Sequence, residues 1–318
     1  MQILRAILTK ALPILAALAL TVSASAQDFP ERPIQFIVPW PAGGTTDVIG
    51  RLLATSMSEE LGTPVSVANR VGGGGALGSQ AVLDAPKDGY TVLVTTSGNH
   101  ILTPLSGDVG YTYDDFVPIG QVALRTLGLA VPADAPWESL DDLAEAARED
   151  PGGLTFAAVP DVLPYLTMRG WLSEAGVEIR HIPTEGGAPA VTGVLGGHFD
   201  MVPAGLASVE SQLSAGSLRL LAVFDQERNE AYPDVPTAIE QGYDVTGNPW
   251  TGLAVAQGVP DDVVQILRDS LATVMQDEEF LQRAADAGAA TAYLDGPAFG
   301  ERWQTRWERY EPILRGED

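Results

Sequence analysis

Residues 34–47, IQFIVPWPAGGTTD, constrain this chain most, because a buried strand there runs directly into a glycine turn and then into the start of a helix. Ile34, Phe36, Ile37 and Val38 form the apolar run and Pro39 through Gly44 break it. Thr45 or Thr46 is then placed to N-cap a helix whose apolar stripe is Val48, Ile49, Leu52, Leu53 and Met57. The first turn of a helix carries N–H groups without internal partners and a partial positive charge, so an anion placed there gains charge-assisted hydrogen bonds. Gly43 and Gly44 let such an anion approach the backbone. Asp47 lies in the first turn, where the dipole favours a carboxylate, and is expected to fix the glycine loop rather than to act as a base.

A second copy of the device follows. Residues 65–68 read as a short strand, Asn69-Arg70-Val71-Gly72-Gly73-Gly74-Gly75 as a glycine loop, and Ala76, Leu77, Ala81 and Val82 as one face of the next helix. Two helix N-termini in consecutive βα units would grip one anionic group from two sides. A strand over residues 90–95 ends in a third polar loop, Thr96-Ser97-Gly98-Asn99-His100. Further strands are expected over 155–159, 178–182 and 199–202, and helices over 139–148 with Ser139 as N-cap, Leu163–Ala175 and 188–195. The apolar runs 218–224 and 252–256 are candidates for crossing between lobes. In a C-terminal helix over 297–309, Phe299, Trp303 and Trp307 fall at i, i+4 and i+8, a stripe expected to be core.

The alternation of strand and helix over 318 residues points to an α/β chain of two lobes, since single cores rarely grow past about 250–300 residues. Residues 1–26 read as a signal peptide: Arg5 and Lys10 are the basic start, residues 11–22 the apolar stretch, and Ala24-Ser25-Ala26 the cleavage site, which leaves Gln27 as the first mature residue. With no cysteine there is neither a lipoprotein attachment residue nor a disulfide, so a periplasmic protein is expected. The formal charge is −24, and loss of Arg5 and Lys10 makes the mature chain more acidic still. Nucleic acid and anionic membrane surfaces both need a basic footprint and are poor partners for such a chain; no nucleic-acid or membrane-surface partner is expected. Lys87 is the one lysine of the mature chain, so an anionic ligand must be held by local neutral donors.

Enzyme chemistries find little support. Gly73-Gly74-Gly75-Ala76-Leu77-Gly78 satisfies G-x-G-x-x-G, but Leu93, Val94, Thr95 and Thr96 stand where a dinucleotide site needs an acidic residue for the ribose. His100, His181 and His198 lie far apart and lack zinc-site spacing. There is no G-x-S-x-G elbow and no phosphate-binding G-x-x-x-x-G-K-[ST] loop. No cofactor, metal or catalytic residue is expected.

The string from Arg32-Pro33-Ile34 through Val38-Pro39-Trp40-Pro41-Ala42-Gly43-Gly44-Thr45-Thr46-Asp47 resembles the opening of the substrate-binding proteins of tripartite tricarboxylate transporters, also called Bug proteins. Asn69–Gly75, Asp88-Gly89-Tyr90-Thr91, His181-Ile182-Pro183 with Gly186 and Pro189, Gly196-Gly197-His198-Phe199-Asp200, and Asp234-Val235-Pro236-Thr237 with Glu240 and Gly242 follow in the family's order. The resemblance implies a type II periplasmic-binding-protein fold, with two α/β lobes, two crossover strands and a ligand cleft. Lobe one is then 27–126 with 250–318, and lobe two is 127–249. It further implies a small carboxylate held by backbone amides and water. Carried onto this chain, the ligand-binding positions are Trp40, Ala42, Gly43, Gly44, Thr45, Thr46, Asp47, Gly73, Gly74, Gly75, Ala76, Thr96, Ser97 and His100 from lobe one. From lobe two they are Pro160, Tyr165, Thr184, Gly186, Gly187, Ala188, Pro203 and Ala204. The chain departs from the family pattern at Pro160-Asp161-Val162-Leu163-Pro164-Tyr165 and at Thr184-Glu185, whose acidic groups are expected to face solvent. The implied function is capture of a di- or tricarboxylate or related organic acid by a monomer that delivers it to membrane permease subunits. The alternative is a sensing subunit that presents the same ligand to a signalling receptor.

Overall fold

The computed structural model describes residues 29–160, 162–287 and 289–315. The expected signal peptide, Gln27 and Asp161 lie outside the described residues. Strand β1 (Ile34–Val38) leads to helix α1 (Thr45–Leu61), β2 (Val65–Asn69) to α2 (Ala76–Leu83), and β3 (Thr91–Thr96) to a wide helical turn and the short α3 (Thr103–Ser106). Then come β4 (Phe116–Leu124), β5 (Leu127–Pro132), α4 (Leu140–Glu149), β6 (Thr155–Ala158), α5 (Leu163–Ala175), β7 (Arg180–Pro183), α6 (Gly187–Leu195), β8 (Val202–Gly205), α7 (Leu206–Ser214) and β9 (Leu218–Val223). The chain closes with β10 (Trp250–Ala256), α8 (Asp261–Val274), α9 (Glu278–Asp286), β11 (Thr291–Asp295) and α10 (Gly296–Arg315).

The larger sheet has the order β11-β4-β10-β3-β1-β2, with β1, β2 and β3 parallel and β10 antiparallel to both its neighbours. Alternation along β1 puts Ile34, Phe36 and Val38 on one face, packed with Ile49, Leu53 and Met57 of α1 and Leu267 and Leu271 of α8. Ile37 faces the opposite side and joins the core to which α10 contributes Phe299, Trp303 and Trp307. Both faces of the sheet are therefore covered, as parallel strands require. The C-terminal aromatic stripe is core, as its spacing predicts: Phe299 is fully buried, and its ring lies 4.8 Å from Trp250 and 4.9 Å from Trp303.

The second body holds the sheet β8-β5-β9 and the parallel pair β6-β7, joined through Ala157 N–H to Met201 O at 3.0 Å. Two chain crossings link it to the larger sheet. Only Arg125 and Thr126 separate β4 from β5, and the return strand comes back alongside them through residues 247–249. Arg125 N–H donates to Pro249 O at 2.8 Å, Leu127 N–H to Asn248 Oδ1 at 3.2 Å, and Phe224 N–H to Leu127 O at 2.8 Å. The two crossings are thus a hydrogen-bonded pair rather than two free linkers.

Three local expectations shift. The N-cap of α1 is Gly44, with no side-chain cap, because the Asp47 carboxylate folds back onto Gly43 N–H and does that work from inside the first turn. The strand expected over 199–202 begins at Val202, because Asp200 accepts from the N–H and hydroxyl of Thr155, both at 2.7 Å, and holds that segment in a turn. The last helix runs on to Arg315.

Removing the Phe299 ring opens a cavity where α10 meets β10, so Phe299→Ala is expected to cost about 3–5 kcal/mol in urea denaturation. A loss below about 1 kcal/mol would show that α10 is not an integral part of this core.

Candidate functional site

The start of α1, after β1, and the start of α5, after β6, come together in the region between the two bodies. A cavity of about 410 Å³ opens there, of a size that suits a small organic ligand. Its wall is assembled from distant segments: Trp40, Thr45, Thr46 and Ile49, then Thr96, Ser97, Gly98 and Leu102, then Ala123 and Arg125, then Pro249, Trp250 and Thr251, with Ala289 and Ala290. The second body contributes Val162, Leu163 and Pro164 at the start of α5. Hydroxyls and backbone line one part and apolar side chains the rest.

Asp47 builds the mouth without facing it. The residue is 2 % exposed, and its carboxylate accepts from Gly43 N–H at 2.8 Å, Asn69 Nδ2 at 2.8 Å and Arg51 Nε at 3.0 Å. Burial pushes this carboxyl up, but the hydrogen bonds from Arg51, Gly43 and Asn69, with the Arg51 charge, more than offset it and hold the group at about 2. Asn69 also donates to Trp40 O at 3.0 Å, so one cluster ties the end of β2 to the loop after β1. Gly43 sits at φ +82°, a conformation that favours glycine. Its N–H is spent on Asp47, and Gly44 N–H donates to Pro41 O at 3.3 Å. The first internal bond of α1 runs from Val48 N–H to Gly44 O at 3.0 Å, which leaves the amides of Thr45, Thr46 and Asp47 ahead of it at the helix tip. The donors sit one residue or more beyond the glycines that the sequence singles out.

Of the expected ligand positions, the structure brings Trp40, Thr45, Thr46, Thr96 and Ser97 together at the cavity. Trp40 is steered by its Nε1, which donates to Thr96 Oγ1 at 3.2 Å; Thr96 in turn is held by Asn99 Oδ1 through its N–H and its hydroxyl, both at 2.8 Å. Ala42 is exposed beside the mouth. Gly73, Gly74, Gly75 and Ala76 lie behind Trp40, off the wall. A Cβ at Gly75 would stand 2.5 Å from Asn99 Cβ and 3.5 Å from the Trp40 ring, while Gly74 O accepts from Thr103 Oγ1 at 2.8 Å. This loop is close packing that supports Trp40 and Asn99, and the grip by two glycine loops from opposite sides is not formed.

His100 is corrected more sharply. Its ring is fully buried, 3.8 Å from the Trp303 ring centroid and 5.2 Å from that of Phe116, and neither ring nitrogen has a hydrogen-bond partner among the described residues. Burial lowers it to about 3, so it is a neutral core residue. In the second body, Pro160 is exposed and Tyr165 packs on His181 at 4.5 Å. Thr184 is held by its own loop, with its hydroxyl donating to Gly186 O at 3.2 Å. Gly186, Gly187 and Ala188 form the start of α6, and Pro203 and Ala204 are buried in β8; none of these lines the cavity, and Glu185 is exposed. The sequence reading missed Arg125, Pro249, Trp250 and Thr251, all at the paired crossings, where the one available signal is the end of a strand.

A wider groove of about 790 Å³ runs along β7 between α4 and α5 and includes Arg148, Arg169, Arg180 and His181. It has no helix N-terminus among its walls, which sets it apart from the cavity between the bodies. No group of His, Asp and Glu among the described residues is arranged to hold a metal ion, and no helix among them is long and apolar enough to cross a membrane.

Two titrations follow from these burials. The Asp47 carboxyl lies below its ordinary value of 3.8, so its stabilisation is complete above that pH and is lost as pH falls toward 2. Asp47→Asn is expected to cost on the order of 2 kcal/mol at pH 7 in urea denaturation, with the gap from the parent closing toward pH 2. His100 stays neutral in the fold while the unfolded chain takes up a proton below 6.5, so stability falls as pH drops from 6.5 toward 3. His100→Leu should flatten that limb by about 2 kcal/mol between pH 6.5 and pH 5; an unchanged slope would mean that the ring is protonated where it sits.

Residues 49–315 match the family model described as the tripartite tricarboxylate transporter family receptor, TctC. The chain is 33% identical to the protein BugT of Bordetella pertussis over 281 residues, 86% of each chain. It superposes on the crystal structure of a TctC solute-binding protein from Polaromonas, without ligand, with a TM-score of 0.86 at 31% identity over 91% of this chain and 99% of that one. Against MatC from Rhodopseudomonas palustris with bound malate the TM-score is 0.62 at 25% identity, over 90% of this chain and 100% of that one. Against a second R. palustris protein with adipate it is 0.64 at 27% identity, over 91% and 98%. These relatives of solved structure are binding proteins, not enzymes. With the α/β fold and the cavity between its two bodies, the match across most of the chain means that this protein belongs to the TctC, or Bug, family of solute-binding proteins.

Proposed function

We propose that this protein captures a small organic carboxylate between two lobes, 27–126 with 250–318 and 127–249, and hands it to the permease subunits of a tripartite tricarboxylate-type transporter in the periplasm. The observation that carries the reading is the tip of α1 at the cavity wall. The amides of Thr45, Thr46 and Asp47 precede the helix's first internal bond, and the hydroxyl-bearing Thr45, Thr46, Thr96, Ser97 and Thr251 stand around them. A carboxylate seated there takes charge-assisted hydrogen bonds from neutral donors, each worth roughly 1.5–3 kcal/mol, and this offsets the long-range repulsion of an acidic chain. The apolar remainder of the wall suits the carbon skeleton of such an acid. The malate and adipate in the two R. palustris structures support this ligand class.

Residues 1–26 act in this reading as the export signal and are removed. In the same reading the lobes stand apart without ligand and approach on binding, because each contributes part of the cavity wall. The hydrogen-bonded crossings at Arg125–Pro249 and Leu127–Asn248 then serve as the hinge.

Thermal denaturation with a panel of mono-, di- and tricarboxylates, amino acids and neutral sugars tests the ligand class. A bound carboxylate at about a hundredfold its Kd adds about 2.7 kcal/mol and is expected to raise Tm by roughly 4–5 °C. Small-angle scattering with that ligand should give a smaller radius of gyration. Stabilisation by sugars and by no carboxylate would sink the reading, and an unchanged scattering profile at saturation would sink the closure.

A further inference from the structure

Arg125 is the one charged side chain on the cavity wall among the described residues. Its backbone is pinned at the first crossing by the 2.8 Å bond from its N–H to Pro249 O, yet its exposed guanidinium has no hydrogen bond or ion pair to any described residue. Arg70 and Arg180 likewise have no side-chain partner among the described residues, but neither lines this cavity. Other arginines of the chain are committed: Arg51 to Asp47 and Asn69, Arg228 to Glu240, Arg268 to Pro118 O. A planar guanidinium offers two parallel N–H donors that match the two oxygens of a carboxylate. The wall that Arg125 shares with the tip of α1 also carries the apolar side chains of Trp40, Ile49, Leu102, Pro249 and Trp250.

We propose that Arg125 is the specificity-determining residue of this site: it grips a second carboxylate, so that the protein selects dicarboxylates with an apolar spacer over monocarboxylates of the same length. The inference rests on the carboxylate reading above and deepens it. One carboxylate takes the neutral amides of α1, the spacer lies along the apolar wall, and the far carboxylate pairs with the guanidinium. Because Arg125 lies at the hinge, its Cα is held in place as the lobes approach, and a ligand spanning both points is measured for length.

The test is calorimetry of the full mature chain with the α,ω-dicarboxylates from succinate to suberate and with the monocarboxylates of equal length, on the parent protein, Arg125→Gln and Arg125→Lys. In the parent, the best dicarboxylate is expected to bind at least about tenfold more tightly than its monocarboxylate counterpart. Arg125→Gln should lose about tenfold to a hundredfold for the dicarboxylate and change monocarboxylate binding by no more than about twofold, while Arg125→Lys recovers part of the loss. Since the side chain has no partner within the fold, both variants should keep the parent's circular dichroism and Tm. Equal dicarboxylate affinity in the parent and Arg125→Gln, or a parent that prefers monocarboxylates, would overturn the role of Arg125 and leave the carboxylate site standing. A parent that binds no carboxylate at all would overturn the site and Arg125 together.

Discussion

The buried carboxylate of Asp47 is the interaction on which the rest of the site depends. It takes three donors from three places: the glycine turn, the end of β2 and the next turn of its own helix. By holding Gly43 N–H it fixes the turn that brings the chain off β1, and it replaces the side-chain cap that α1 lacks. The helix therefore begins with its first amides uncapped and at the cavity. A Ser or Thr cap would have used one of those amides internally. Asp47 thus keeps a negative charge close to the proposed carboxylate site while directing its accepting capacity inward, and the donors it organises carry no formal charge.

The second constraint is the pairing of the crossings. The chain passes between the bodies twice, at 124–127 and 247–250, and the two passes bond to each other, so the closure proposed above would bend about one short ribbon. Cavity residues from that ribbon, Arg125, Pro249 and Trp250, stay close to the axis of such a motion, whereas Val162, Leu163 and Pro164 at the start of α5 travel with the second body. In that closure one side of the site is built in place and the other arrives. The apolar character of the arriving segment suits a role in excluding water more than one in supplying hydrogen bonds.

Much of the fold was legible in the sequence because its signals are local. The run into Pro39 through Gly44 marks β1 and the turn, and the i, i+4, i+8 aromatics mark the buried face of α10. The bounds of α5 agree with its apolar spacing. The site was legible only where a local signal coincided with position, as at Trp40, Thr45, Thr46, Thr96 and Ser97. Gly73, Gly74 and Gly75 show the limit: a glycine run serves an anion nest and close packing equally well, and the choice was made by Asn99 and Trp40, which are distant in sequence. His100 stands in a polar string, but the helical turn over Gly98–Leu102 directs its ring into Phe116, Trp250 and Trp303. Arg125 carries no motif, since its importance comes from a return strand that begins 125 residues later at Trp250.

The central claim is that the uncapped tip of α1 is where an acid group binds. A crystal structure of the mature protein grown with the most stabilising carboxylate tests it most directly. The account predicts a carboxylate whose oxygens lie at about 2.7–3.2 Å from the amide nitrogens of Thr45, Thr46 or Asp47, with its carbon skeleton against Trp40 and Trp250. The same ligand found instead in the groove along β7, against Arg148 and Arg180, with the tip of α1 untouched, would contradict it.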